Sequence, residues 1–239
     1  MKILYFMVLL YLVRRIVRKP ISVDCDILIA PGGFKGLYMI GICHYLKNHF
    51  PTASKSMVGF SCGSFIALFM RLNPALDYRC LKSLFQINQS RLSMTQLLNA
   101  VMASLEDQFV YEDFDLRQTR IGVTTTRGLE LYDQFTSMHD AIQCCRSSSF
   151  IPFITHPDVF LFYRNRLTLD GGFHYKKVKK NKKKETLLIT SSMFGRYRDN
   201  LYSGYKKPKC SYYQLYLYGY QDAKKNHAFF EDYFKRSGS

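Results

Sequence analysis

The chain has 239 residues, 47% of them hydrophobic, enough apolar surface for a substantial core; a disordered or fibrous protein is excluded. Lys and Arg number 34 against 18 Asp and Glu, a net charge of +16 that favours anionic partners: nucleic acid, acidic lipid surfaces or phosphorylated substrates. The seven cysteines form no C-x-x-C pair, so neither a zinc cage nor a complete disulfide framework is expected, and a reducing compartment is the simpler reading.

Residues 3–13 form an apolar run followed by Arg14, Arg15, Arg18 and Lys19. A helix over that run reaches roughly 16 Å, well short of the roughly 30 Å of a hydrocarbon core. Residues 1–20 read as a membrane anchor with a basic flank; a cleaved signal and a helix docked on the domain's own core are the competing readings. Positive charge after the run predicts that the body, residues 21–239, stays on the cytoplasmic side.

From residue 23 the pattern becomes α/β. Residues 25–30 (C-D-I-L-I-A) predict a buried strand closed by Pro31, Gly32 and Gly33. A helix follows over 36–50, with Leu37, Ile40, Gly41, His44 and Tyr45 at helical spacings. Residues 56–60 predict a second strand and 62–72 an apolar helix ended by Asn73 and Pro74. Further on, 91–105 predicts a helix, and 120–126 and 185–191 predict strands. The succession implies a mainly parallel sheet with covering helices, without internal repeats.

The strongest chemical signal is G-F-S-C-G, from Gly59 through Ser61 to Gly63, where a strand meets a helix. In that context a nucleophile elbow holds Ser61 in a strained turn with its hydroxyl exposed, and the helix start favours a developing oxyanion. The second signal is P-G-G-F-K-G at 31–36, where Gly32, Gly33 and Phe34 can aim amides at an anion. It lacks phosphate-loop spacing, and a simple strand-to-helix turn is its bland reading. Paired with Ser61, it makes better sense as an oxyanion hole. Only two strand candidates precede Ser61, too few for an α/β-hydrolase. Asp170, in L-D-G-G with Gly171 and Gly172, offers a base at the end of the 166–169 segment, where two glycines let the backbone turn sharply.

Taken in order, these segments resemble the patatin-like phospholipases: the glycine loop with Gly36, the elbow, a C-C-R-S-S-S-F-I-P-F segment at 144–153, and the D-G-G. The match runs from about residue 26 to 172, and Tyr218, Gly219, Tyr220, Asp222 and Lys224 look like a late helix of that family. The resemblance implies a three-layer α/β/α sandwich and a Ser–Asp dyad without a catalytic His, metal or cofactor. Ser61 would attack the acyl ester of a phospholipid or other membrane lipid, Asp170 would serve as base, and the amides of Gly32, Gly33 and Phe34 would hold the oxyanion. Lys35 stands where the family commonly carries Arg. Pro31 replaces the first loop glycine and Phe173-His174-Tyr175 follows the D-G-G in place of an Asn-Pro segment, so a catalytically inactive membrane-binding relative is the alternative.

Among the remaining residues, His44 reads as a packed or solvated helix residue, His156 as a loop residue, and His174 as the only histidine close in sequence to Asp170. Cys62 reads as a small helix-start residue, and Arg146 as either a wall of the site or an ordinary helix-end cation. Residues 176–184 hold seven lysines, a solvated loop or a contact for an anionic membrane surface. A nucleic-acid partner is not expected, because no recognition fold or zinc pattern accompanies that run. The tyrosines between 202 and 220 are expected mostly in core and helix packing.

Overall fold

The computed structural model describes residues 21–87, 92–175, 178–180, 185–198, 204 and 206–237. The apolar run and basic flank of residues 1–20, and lysines 176, 177 and 182–184, lie outside the described residues. Within them no helix is long and apolar enough to cross a membrane.

The strands are β1 (Ile21–Val23), β2 (Ile27–Ile29), β3 (Met57–Phe60), β4 (Thr119–Thr125), β5 (Gly128–Tyr132), β6 (Leu161–Tyr163), β7 (Arg166–Leu169), β8 (Val178–Lys180) and β9 (Leu187–Ile189). The helices are α1 (Gly36–His49), α2 (Cys62–Arg71), α3 (Asp77–Gln86), α4 (Met94–Gln108), α5 (Met138–Ser148), α6 (Gly172–Tyr175), α7 (Tyr212–Lys225) and α8 (His227–Arg236). The protein is mixed α/β with a mainly parallel main sheet: β9, β2, β3 and β4 run parallel, and β5, β6 and β7 add antiparallel pairs. β1, a third strand before Ser61, pairs with β8 apart from the main sheet. The helix expected from residue 91 instead begins at Met94, because Ser93 and Gln96 close a capping box there, and it runs on to Gln108.

The two sheet faces differ. Ile27, Ile29, Met57, Ile121, Val123, Leu187 and Ile189 face one large cluster built with the long helices. Leu28, Val58 and Phe60 point the other way, into a smaller cluster with Val23, Cys25, Leu129, Leu131 and Val178. This is the period-two alternation of a strand buried on both faces. On the helical side α1 and α7 cross at backbone contact: a Cβ on Gly219 would lie 1.8 Å from the Tyr38 carbonyl oxygen, so only glycine fits.

Register explains where the site forms. Ile121 and Gly122 pair with β3 and also with β5, while Thr124 and Thr125 pair with β7 and also with β5. A residue has one neighbour on each edge, so β3 and β7 share one edge of β4. Parallel β3 ends with Phe60 opposite Gly122, and antiparallel β7 ends with Leu169 opposite Thr124. The next residue of each, Ser61 and Asp170, therefore arrives from opposite directions at the level of Val123.

Candidate active site

Ser61 is the single residue between β3 and α2, with φ 54° and ψ −130°. A non-glycine side chain rarely occupies that region, so the surrounding turn must hold it there. Two glycines make the turn possible: a Cβ on Gly59 would lie 2.3 Å from the Gly63 carbonyl oxygen, and one on Gly63 would lie 2.5 Å from that of Ile29. Ser64 fastens the turn from inside the helix, its hydroxyl donating to the Ser61 carbonyl at 2.6 Å.

The Ser61 hydroxyl donates to Asp170 Oδ2 at 2.7 Å, and both residues are buried. Asp170 Oδ1 accepts the Gly172 amide at 2.7 Å, and Thr124 donates to the Asp170 carbonyl at 2.9 Å. Ser148, in the last turn of α5, fastens both halves of the pair. Its hydroxyl accepts the Ser61 amide at 2.8 Å and donates to the Gly122 carbonyl at 2.7 Å, while its own carbonyl accepts the Gly171 amide at 2.8 Å. The sequence offered only a weak signal for this role, three successive serines at the end of a helix. Burial pushes the Asp170 carboxyl up to about 7; the Ser61 hydroxyl and the Gly172 amide pull the other way. Among the described residues no Lys, Arg or His contributes to its shift.

The glycine loop lies beside the elbow. Gly33 has φ 55° and opens a short 3-10 turn through Lys35, and Gly33 lines the same cavity as Ser61. The amides of Gly32 and Gly33 both act on the Cys62 sulfur, which burial, the largest influence, nevertheless pushes up to about 12. Cys62 is thus more than a small helix-start residue: its thiol lies between the loop and the elbow. The Phe34 side chain is buried with Leu97, Tyr212 and Leu215. Pro31 packs over the D-G-G turn, its ring 3.1 Å from where a Gly172 Cβ would stand.

The other candidates fall into place around this centre. His174 is buried with Nδ1 2.9 Å from Thr124 Oγ1; the hydroxyl proton is spent on the Asp170 carbonyl, so the imidazole N–H donates. His44 is packed, bonded to the Tyr216 hydroxyl at 2.7 Å, and burial lowers it to about 4. Arg146 bonds His156 and so ties α5 to the following loop. Lys35 places its ammonium 5.1 Å from the Tyr197 ring centre. Asp222, on α7, accepts Arg196 Nε and Nη2 at 2.6 and 2.8 Å and the Tyr38 hydroxyl at 2.9 Å. Of the late tyrosines, Tyr212 is buried and Tyr213 exposed. Tyr202 and Tyr205 lie outside the described residues.

A cavity of about 110 Å³ opens on Ser61 and Cys62 and is walled mainly by apolar side chains of α1, α2, α3 and α4. Neither a protein-family model nor a curated protein sequence matches the chain.

Proposed function

We propose that the protein is a patatin-like serine acyl hydrolase that cleaves fatty-acyl esters of membrane lipids. The observation that carries this reading is the 2.7 Å hydrogen bond from a serine at a strained strand-to-helix turn to a buried carboxylate. Ser61 Oγ attacks the ester carbonyl while its proton passes to Asp170, forming a tetrahedral oxyanion beside the glycine loop. Collapse breaks the bond to the alcohol, which leaves with the proton from Asp170. Water, deprotonated by the same carboxylate, then attacks the acyl-serine; the Ser61 Oγ–acyl bond breaks, Asp170 returns the proton to Ser61, and the fatty acid is freed. A carboxyl raised to about 7 is basic enough to accept a serine proton transiently and remains partly ionised at neutral pH.

The patatin-like sandwich, the anchor in residues 1–20, the cytoplasmic placement of the body and the affinity for an anionic membrane surface belong to the same reading, supported by motif order and charge. The Cys62 thiol, packed against the glycine loop 3.2 Å from where a Gly32 Cβ would stand, favours a second reading, a catalytically silent membrane-binding relative. A fluorophosphonate probe separates the two. The active hydrolase labels at Ser61, and labelling disappears in Ser61→Ala; an unlabelled, folded wild-type protein that also leaves acyl esters intact sinks the hydrolase.

A further inference from the structure

The antiparallel strands carry the main sheet past the site. β3 stops with Phe60 opposite Gly122, but β4 runs on to Thr125, which pairs with Thr168 of β7 and Gly128 of β5. β7 leads from Arg166 to Leu169, beside the site, and β6 follows it with Tyr163 opposite Arg166. Both connecting turns, 126–127 and 164–165, therefore stand roughly 10–13 Å beyond the level of Ser61, at the same end of the sheet. Arg164 and Asn165 have φ 46° and 60°, as a tight two-residue hairpin turn requires.

β6 is an edge strand, and its side chains alternate. Leu161 packs with Phe150 and Leu169, and Tyr163 is buried against the Tyr132 ring, whereas Phe160, just before the strand, and Phe162 are 59% and 66% exposed. The two exposed rings stand roughly 7 Å apart on one face. Phe153, 39% exposed, belongs to the same end: the Asp170 amide donates to the Phe150 carbonyl at 2.8 Å, and the loop carrying Phe153 departs from there. Phe153 has φ 65°, a conformation that a bulky residue rarely adopts.

The charge around these rings is positive. Arg127 and Arg164 occupy the two turns and Arg166 follows, while residues 153–166 hold a single acid, Asp158. Arg164 is paired with Asp140, and Glu130 of β5 is bonded to Thr125 and Tyr132. Exposed aromatic rings bordered by arginines fit a partner that is apolar inside and anionic at its surface, which describes a bilayer with acidic headgroups.

We infer that Phe153, Phe160 and Phe162 enter the acyl region of an anionic membrane while Arg127 and Arg166 meet its headgroups, turning the Ser61 end of the sheet towards the lipid. That placement rests on the lipid-hydrolase reading and names the surface through which such an enzyme meets its substrate.

The chain contains no tryptophan, so Phe162→Trp in full-length Ser61→Ala protein is a single reporter that needs no turnover. On vesicles of phosphatidylcholine and phosphatidylserine its emission should shift to the blue and lose about half its intensity or more to bromine-labelled acyl chains. Tyr78→Trp is the control, 76% exposed in the first turn of α3, beyond the end of α2 away from Ser61, and it should stay unquenched. Half-maximal quenching of the Phe162→Trp protein should need at least ~10-fold more lipid when the vesicles are wholly phosphatidylcholine, and Arg127→Gln with Arg166→Gln should shrink that gap at least ~5-fold. Quenching at position 162 alone, with that gap, upholds the surface even if a fluorophosphonate fails to label Ser61 in the wild type. A reporter at 162 that stays in water, or equal quenching at 78, overturns it and leaves the patch to a protein partner; equal quenching on neutral vesicles overturns the anionic membrane.

Discussion

Asp170 and Asp222 are both largely buried carboxylates with hydroxyl partners, yet their surroundings drive them in opposite directions. Asp222 faces the Arg196 guanidinium in a two-pronged bond, which holds it below the usual carboxylate range. Among the described residues the Asp170 carboxylate is bonded by the Ser61 hydroxyl and the Gly172 amide, and burial raises it to about 7. A cation turns one aspartate into a fixed structural charge; its lack leaves the other able to exchange a proton near neutral pH. The same residue type thus carries a fixed charge at the α1–α7 crossing and a titratable carboxyl at the elbow.

The sharpest way to break this contrast is Asp170→Asn. Ester turnover should fall by about 10⁴-fold, since an amide cannot take the serine proton, and retention of more than a tenth of the activity would remove Asp170 as base. In the wild type, kcat/KM should drop tenfold per pH unit below about 7 and level off above it. Stability carries the opposite sign. A carboxyl raised in the folded state contributes fully below its unfolded value of 3.8 and loses that contribution as pH rises through about 7, a loss of roughly 4 kcal/mol. Asp170→Asn should therefore melt at a higher temperature than wild type at pH 8, with the gap closing near pH 4.

A smaller effect is expected at Ser148. Ser148→Ala removes the link between the Ser61 amide and the Gly122 carbonyl, and kcat should fall ~10-fold to 100-fold with KM nearly unchanged. An equal change in both constants would show that Ser148 only holds the fold. The smallest is expected at Asp222: Asp222→Asn should cost about 1–2 kcal/mol in urea unfolding and leave the pH midpoint of activity in place. Because Asp222 is lowered, its contribution is present above the unfolded carboxylate value and fades as pH falls through the folded one. Acid should weaken its region while strengthening that of Asp170.

The parts of the fold legible in the sequence were those written in local pattern. β2, β3, α1 and α2 follow from short apolar runs, helical spacing and the glycines between them, and Ser61 and Asp170 stood out by their motifs. What the sequence hid depends on pairing across the chain. β6 and β8 are only three residues long, and β5 and β7 take their place from antiparallel pairing with β4. Arg71 also escaped notice: a cation at a helix end normally lies in solvent, yet its side chain is buried, donating to the Ala53 carbonyl at 2.7 Å and the Thr119 hydroxyl at 3.0 Å. Ser148 and Ser149 were visible only as part of a serine tract; their separate positions emerge once α5 is packed beside the elbow.

The convergence of β3 and β7 on one edge of β4 also dictates when chemistry can begin. Ser61 and Asp170 are separated by 109 residues, and β9, later still, completes the pairing of β2. During vectorial synthesis a nascent chain exposes its nucleophile long before its base leaves the ribosome. On the proposed hydrolase reading, ester cleavage therefore cannot begin until translation has carried the chain well past the D-G-G.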